Sequence, residues 1–191
     1  MEILGLDVAT TTGITLLDGE RYAWARAFRW EGKCSGEIFR HCRKTLYKII
    51  EDNHVKHVAV EEPLRTDIEI GTGKLDPDTG LVIKTRPPMQ TFQRIYGLCA
   101  VVEEVCAAHG VKHHYVNQGT WRKAFTGNGK ASKDDSLLLA QRIDKSITSL
   151  DAAESLGVAW WLRGHLDKRF AAPRGDLFEP KLAPTRKETP F

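Results

Sequence analysis

The sequence predicts one α/β domain: a five-stranded mixed sheet, three antiparallel strands and then two parallel ones, flanked by helices. Three observations carry this expectation. Residues 2–30 contain three strand-like segments separated by short turns. A β-branched run after residue 54 and a further strand-like segment, Val111 to Val116, each follow a stretch of helical periodicity. The resulting order βββαβαβα, with extra helical pieces before the last helix, is that of a mixed sheet covered by helices.

The elements follow in order. Residues 2–8 (EILGLDV) form an apolar strand that delivers Asp7 into a turn of small hydroxyl residues, Thr10-Thr11-Thr12-Gly13. A carboxylate so placed is costly unless a cation meets it; the plain alternative is a turn aspartate bonded to its own backbone. The second strand, 12–18, turns at Asp18-Gly19, and Arg21 to Trp30 (RYAWARAFRW) alternates as a third, completing a meander. From Gly36 to Asp52, Ile38, Phe39, Cys42, Leu46, Ile49 and Ile50 recur at spacings of three and four, an amphipathic helix. The run from Val55 to Val60 is a buried strand that ends in Glu61, Glu62 and the stop Pro63.

Residues 67–86 break the compact pattern. Two short apolar runs lie around Gly71, Gly73 and the turn Asp76-Pro77-Asp78-Thr79-Gly80, which suggests a projecting hairpin or a mobile loop. Met89 to His109 is strongly helical, with Phe92, Ile95, Tyr96, Cys99, Val102 and Cys106 on one side, either core or a subunit interface. Val111 to Val116 supplies the fifth strand. A short helix over 117–125, a helix capped by Ser132 through about Ile143, and a last helix from Leu150 to Leu166 complete the domain, 1–166.

Composition narrows the function classes. The 191 residues are 41% hydrophobic, enough for a sizeable core. No apolar run approaches the ~18 residues of a membrane span, and no basic flank precedes the first apolar stretch, so the expectation is a cytoplasmic protein without anchor or signal peptide. Cys34, Cys42, Cys99 and Cys106 lack C-x-x-C spacing, and neither disulfides nor a zinc site is indicated. The net charge of +3 hints weakly at an anionic partner. From Arg163 onward seven Lys or Arg stand against four Asp or Glu, with Pro173, Pro180, Pro184 and Pro190 interspersed. Residues 167–191 therefore read as a basic extended tail, either solvated or in loose contact with phosphates.

Three acidic places stand out: Asp7, the pair Glu61 and Glu62, and Asp151 with Glu154. Residues three apart can share one side of a helix, so Asp151 and Glu154 can act together. Equally, Thr148-x-x-Asp151 fits a capping-box variant, and acids in a first turn complement the helix dipole.

Four motifs in this order carry a family resemblance: Leu4-Gly5-Leu6-Asp7 with Thr12-Gly13; Val58-Ala59-Val60-Glu61; Gly127-Asn128-Gly129-Lys130-Ala131-Ser132-Lys133; and Asp151-Ala152-Ala153-Glu154-Ser155-Leu156-Gly157-Val158-Ala159. Together, from Ile3 to about Trp161, they resemble the Holliday-junction resolvases of the RuvC type, within the RNase H-like and retroviral-integrase superfamily. The resemblance implies an RNase H-like fold and the activity of a crossover junction endodeoxyribonuclease. It implies a homodimer that resolves four-way and other branched DNA, with the helix from Met89 to His109 as interface. By the same resemblance Asp7, Glu61, Asp151 and Glu154 are the catalytic metal ligands. Hard oxygen ligands without a Cys or His cluster favour Mg²⁺ or Mn²⁺, and four carboxylates suffice for two ions roughly 3.5–4 Å apart. Alternation cannot choose between Glu61 and Glu62 on a doubly buried strand; the family register favours Glu61.

Lys133 matches a family lysine beside the scissile phosphate and Lys123 a second basic position, both with a plain reading as surface lysines. Gly127, Gly129 and Lys130 suit a backbone cradle for a phosphate, or simply a glycine turn before a capped helix. The sequence also departs from the family. Glu154 stands where aspartate is usual, Ala9 replaces a glycine, and Pro63-Leu64-Arg65 lacks the aromatic expected at the junction's bases. Leu64, Arg65 and the long 67–86 segment are then expected to read branched DNA differently, as in phage-encoded members. Two rivals stand beside this reading. Thr10-Thr11-Thr12-Gly13 also suits the phosphate loop of an actin-like ATPase or sugar kinase, although no second phosphate loop is present. The other rival is an inactive nucleic-acid-binding module.

Overall fold

The computed structural model describes residues 1–171 except 20, 64 and 68, with backbone alone at 70, 72 and 73. Leu64 and the tail beyond residue 171 lie outside the described residues. The chain runs β1 (Ile3–Asp7), β2 (Thr11–Asp18), β3 (Arg21–Arg29), α1 (Ser35–Asp52), β4 (His57–Glu61), β5 (Ile70–Leu75), β6 (Val82–Thr85), α2 (Met89–Ala108), β7 (Lys112–Val116), α3 (Gln118–Thr126), α4 (Lys133–Ile143) and α5 (Leu150–Leu166), followed by a single 3₁₀ turn, Lys168–Phe170.

The main sheet has the order β3-β2-β1-β4-β7. Pairs β1–β2 and β2–β3 are antiparallel, β1–β4 and β4–β7 parallel, so the expected three-plus-two sheet is present. The pattern follows from connection length: short turns reverse the chain, whereas α1 and α2 carry it back for parallel strands. Within the 67–86 segment β5 and β6 form an antiparallel pair separate from the main sheet, with Leu75, Leu81 and Val82 exposed.

Strand alternation divides the core between the two faces of the sheet. Leu4, Leu6, Ile14, Leu16, Val58 and Val60 meet Ile38, Cys42, Leu46 and Ile50 of α1 and Leu98, Val102 and Cys106 of α2. On the other face Ile3, Leu17, Ala59 and Val116 meet Trp121 and Phe125 of α3 and Leu156 and Leu162 of α5. The apolar side of α2 is thus core, leaving Met89 and Tyr96 exposed. All four cysteines are free, and burial pushes the thiols of Cys42 and Cys106 up to about 12. Among the described residues no helix is long and apolar enough to cross a membrane.

Helix α5 is buried all round from Ala152 to Ala159, as befits a helix held between a sheet and further helices. It lies very close to the sheet because two strand positions are glycine. A Cβ at Gly5 would stand 2.4 Å from the Ser155 carbonyl oxygen, and one at Gly13 only 1.8 Å from that of Asp151. Between them Thr15 and Ser155 share a hydroxyl hydrogen bond of 2.8 Å. The α5 cap is Ser149, whose side chain accepts from Ala152 N, and not Thr148. Asp151 therefore falls at the second helical position, outside any capping box, because the helix begins one residue later than the Thr148 reading required.

Gly13→Ala sets a methyl group against backbone, which cannot yield as a flexible side chain can. Denaturant titration should register a loss of about 1–3 kcal/mol, the cost of overpacking.

Candidate active site

The acids meet at the ends of two adjacent strands and the start of α5. Ile3, Gly5 and Asp7 share the α5 face of β1, as His57, Ala59 and Glu61 share that face of β4. The parallel register sets Leu6 beside Val60, so one residue further Asp7 and Glu61 are neighbours. The antiparallel register sets Asp7 opposite Gly13, whose missing side chain makes room for the Asp151 backbone. Asp7 is thus flanked by Glu61 on one side and by the first turn of α5 on the other.

Electrostatics reflect this crowding. Asp7 is pushed up to about 8, by burial first, then by the carboxylates of Glu61 and Glu154; Lys133 opposes the rise and Asp151 adds to it. Burial also raises Glu61, against the stabilising N–H of Trp121, and it raises Asp151. Glu61 is held at both oxygens: Trp121 Nε1 donates to Oε2 at 2.9 Å and Gln118 Nε2 to Oε1 at 3.2 Å. Trp121 is fully buried, and its ring lies where a Cβ on Gly157 of α5 would approach to 2.5 Å. Glu62, one residue on, is exposed, and its backbone N–H donates to Val116 O.

Glu154 is treated differently. Its side chain is 1% exposed and accepts from the Arg122 guanidinium at one oxygen and from the Lys133 ammonium at the other. Arg122 also donates from Nη1 to Ala131 O at 3.0 Å, tying the loop before α4 to α5. Removing one partner of a buried ion pair typically costs about 3–5 kcal/mol, so Arg122 and Glu154 depend on each other. Lys133 is half exposed. Burial depresses its pKa, but the hydrogen bond to Glu154, with Asp7 and Asp151 nearby, raises it overall.

The donor set fits a hard divalent cation: four carboxylates, with no Cys or His beside them. Asp7, Glu61 and Asp151 have no salt-bridge partner among the described residues. As the side chains stand, no three His, Cys, Asp or Glu among the described residues are gathered closely enough to hold one ion. Glu154 faces its two cations, although each of its oxygens keeps a second lone pair.

The remaining residues singled out from sequence lie around this cluster or apart from it. Lys123 is exposed in the last turn of α3, and Lys130 is exposed in the following loop. Gly127 takes a left-handed φ of 83°, and its N–H closes α3 on Lys123 O. The N–H of Lys130 donates to Asn128 Oδ1, and that of Ala131 to Asn128 O. Those amides are engaged within the turn, so they form no open phosphate cradle; Gly129 is packed against Gly119, where a Cβ would stand 2.9 Å from the carbonyl oxygen. Arg65 is exposed and bonded to Asp67 at 2.6 Å. Sequence reasoning missed Gln118, Trp121 and Arg122. The available signal was an arginine beside the apolar i, i+4 pair Trp121 and Phe125 of a short helix, a position at which its charge needs a carboxylate.

No protein-family model matches the chain, and no curated protein matches it significantly. Solved structures do. Thermus thermophilus RuvC in complex with a Holliday junction substrate matches at 15% identity with a TM-score of 0.68, over 91% of this chain and 99% of that one. Another T. thermophilus RuvC structure matches at 16% identity and a TM-score of 0.65, over 91% and 100%. The yeast mitochondrial Holliday junction resolvase Ydc2 matches at 11% identity and a TM-score of 0.54, over 88% and 82%. The chain therefore has the RNase H-like fold of the RuvC-type resolvases.

The raised Asp7 pKa fixes the sign of a stability effect. Between its ordinary value of 3.8 and about 8 the folded protein binds this proton more tightly than the unfolded chain does. Stability without divalent metal should therefore fall as pH rises through that window. Asp7→Asn should raise the melting temperature in EDTA above about pH 8 and flatten the decline; a variant no more stable than wild type there would contradict the raised value.

Proposed function

We propose that the chain is a RuvC-type resolvase: a metal-dependent, structure-specific endonuclease that hydrolyses phosphodiesters symmetrically across four-way DNA junctions and other branched DNA. The observation that carries this reading is that the backbone positions of Asp7, Glu61 and Asp151 adjoin one another at one rim of an RNase H-like sheet, uncompensated by any described ion pair. Such a cluster is unfavourable in isolation, and a cation relieves it.

Asp7, Glu61 and Asp151 would hold Mg²⁺ or Mn²⁺, with Glu154 as fourth ligand and two ions per site. When bound, such ions supply an activated water and charge stabilisation for the leaving 3′ oxygen. The chain's own groups orient and balance the site. Trp121 and Gln118 fix both oxygens of Glu61, so that carboxylate need not be ordered when substrate arrives. Arg122 anchors Glu154 from the buried side. Lys133, at the half-exposed edge, presents an ammonium to an incoming phosphate and offsets the negative charge that grows during displacement.

A junction has two-fold symmetry, and a homodimer with one site per subunit matches it. The exposed Met89 and Tyr96 of α2 are the residues we assign to that contact. The β5–β6 hairpin leaves the sheet just beyond Glu61, and its exposed Leu75, Leu81 and Val82 suit contact with unstacked bases. One observation favours a second reading, an inactive nucleic-acid-binding module: two cations already compensate Glu154.

Cleavage of labelled four-way, three-way, flap and linear duplex DNA with Mg²⁺ or Mn²⁺ separates the two. Wild type should cut junctions, whereas Asp7→Asn and Glu61→Gln should bind without cutting; Asp7→Asn cutting at the wild-type rate would sink the assignment. Trp121→Phe keeps an aromatic six-membered ring in the buried position and removes the pyrrole ring with its N–H. It should lower the cleavage rate by about 10- to 100-fold, the usual effect of losing a ligand's supporting hydrogen bond. An unaltered rate in that variant would remove Trp121 from the positioning of Glu61.

A further inference from the structure

On the face of the sheet opposite the carboxylates, the edge strand β3 and helix α1 enclose a trough that the nuclease reading does not use. Its part between β3 and α1 is a hollow of about 450 Å³, and a second hollow of about 390 Å³, between α1 and the Glu31-Gly32 loop that follows β3, shares Lys44 with it. One wall is a row of cations. Arg40, Lys44 and Lys48 follow one another at i, i+4 and i+8 on α1, about 6 Å apart along the helix axis. All three are exposed, and none is in a salt bridge among the described residues. The other wall is aromatic. Trp24 and Phe28, two steps apart on the same face of β3, are partly exposed with ring centroids 6.3 Å apart, and the Arg26 guanidinium lies 5.7 Å from the Trp24 ring centre. Phe28 stacks on Trp30 at 6.2 Å and 20°, which carries the aromatic ladder toward the rim, where Trp30 N donates to Thr10 O. Glu31 and Glu37 share the smaller hollow with Arg40 and Lys44, whereas in the larger one Arg26, Lys44 and Lys48 stand against Asp52 alone, so the excess of cations lies beside the aromatic wall.

We propose that this trough binds single-stranded nucleic acid, with its phosphates along Arg40, Lys44 and Lys48 and its bases against Trp24 and Phe28. Charge complementarity selects a polyanion, and the aromatic wall selects one that offers ring faces. A positively charged track beside stacking side chains is the combination that holds unpaired strands without sequence preference. A duplex turns its bases inward and has no face to lay on Trp24; an acidic peptide uses the cations and leaves the rings idle. The proposal does not depend on the carboxylate site being catalytic.

The test is fluorescence anisotropy with the full chain in EDTA, using a labelled oligothymidine of about 12 nucleotides, within the usual site size of such grooves. Wild type should bind, and Arg40→Ala/Lys44→Ala/Lys48→Ala should weaken binding about tenfold or more. Loss of three phosphate contacts should also reduce the slope of log affinity against log salt by about 2. Trp24→Ala should weaken binding similarly while leaving the salt slope unaltered. The triple variant replaces only exposed side chains, so it keeps the test decisive even if Trp24→Ala fails to fold. Unchanged affinity and slope in the triple variant would overturn the proposal. So would displacement of the oligonucleotide by polyglutamate as effectively as by unlabelled oligothymidine, since that result marks a site for acidic peptides.

Discussion

The close seating of α5 on β1 and β2 is the constraint on which the rest of the structure depends. It exists because Gly5 and Gly13 present no side chain where the backbone of Ser155 and Asp151 passes. With α5 so near, the first turn of the helix falls beside Asp7, and the helix is enclosed on every side. A helix that is enclosed while carrying a glutamate must bring its own counter-charge, and Arg122 and Lys133 supply it. Helix α3 closes in the same manner: Gly157 leaves room for the Trp121 ring, whose N–H then reaches Glu61. Three positions without side chains thus set how closely α5 approaches the sheet and α3 approaches α5.

The resulting site has two electrostatic halves. Glu154 is compensated, and its pairing with Arg122 joins α3, α4's leading loop and α5 into one unit. Asp7, Glu61 and Asp151 are raised in pKa chiefly by burial. This second half is unfavourable for the folded chain taken alone, and the apolar packing of α5 and α3 against the sheet offsets it. Local destabilisation tolerated by a well-packed scaffold is characteristic of functional sites, where charges are held ready for a ligand of the opposite sign.

Much of the fold is legible in the sequence because turn residues and apolar runs are clear: Asp18-Gly19 reverses β2 into β3, and Asp76 to Gly80 reverses β5 into β6. The acids at strand ends are legible too. Alternation leaves Glu61 and Glu62 open on a strand buried on both faces, and only the packing of α5 over Gly5 and Ala59 puts Glu61 on the same face as Asp7. Other features depend on tertiary placement. Thr148 and Ser149 are both competent caps, and only the packed start of α5 selects Ser149. Gln118, Trp121 and Arg122 acquire meaning from where the short α3 lands after β7. The apolar stripe of α2 reads equally as core or interface, and the sheet takes most of it.

The most direct measurement of the central claim is an anomalous difference map from crystals of the full chain soaked in Mn²⁺. The carboxylate arrangement predicts manganese peaks bounded by Asp7, Glu61 and Asp151, with the Asp7→Asn variant losing them under the same conditions. Manganese found only at surface carboxylates, with the rim empty in crystals where it is accessible, would contradict the claim that this cluster is built to hold a divalent ion.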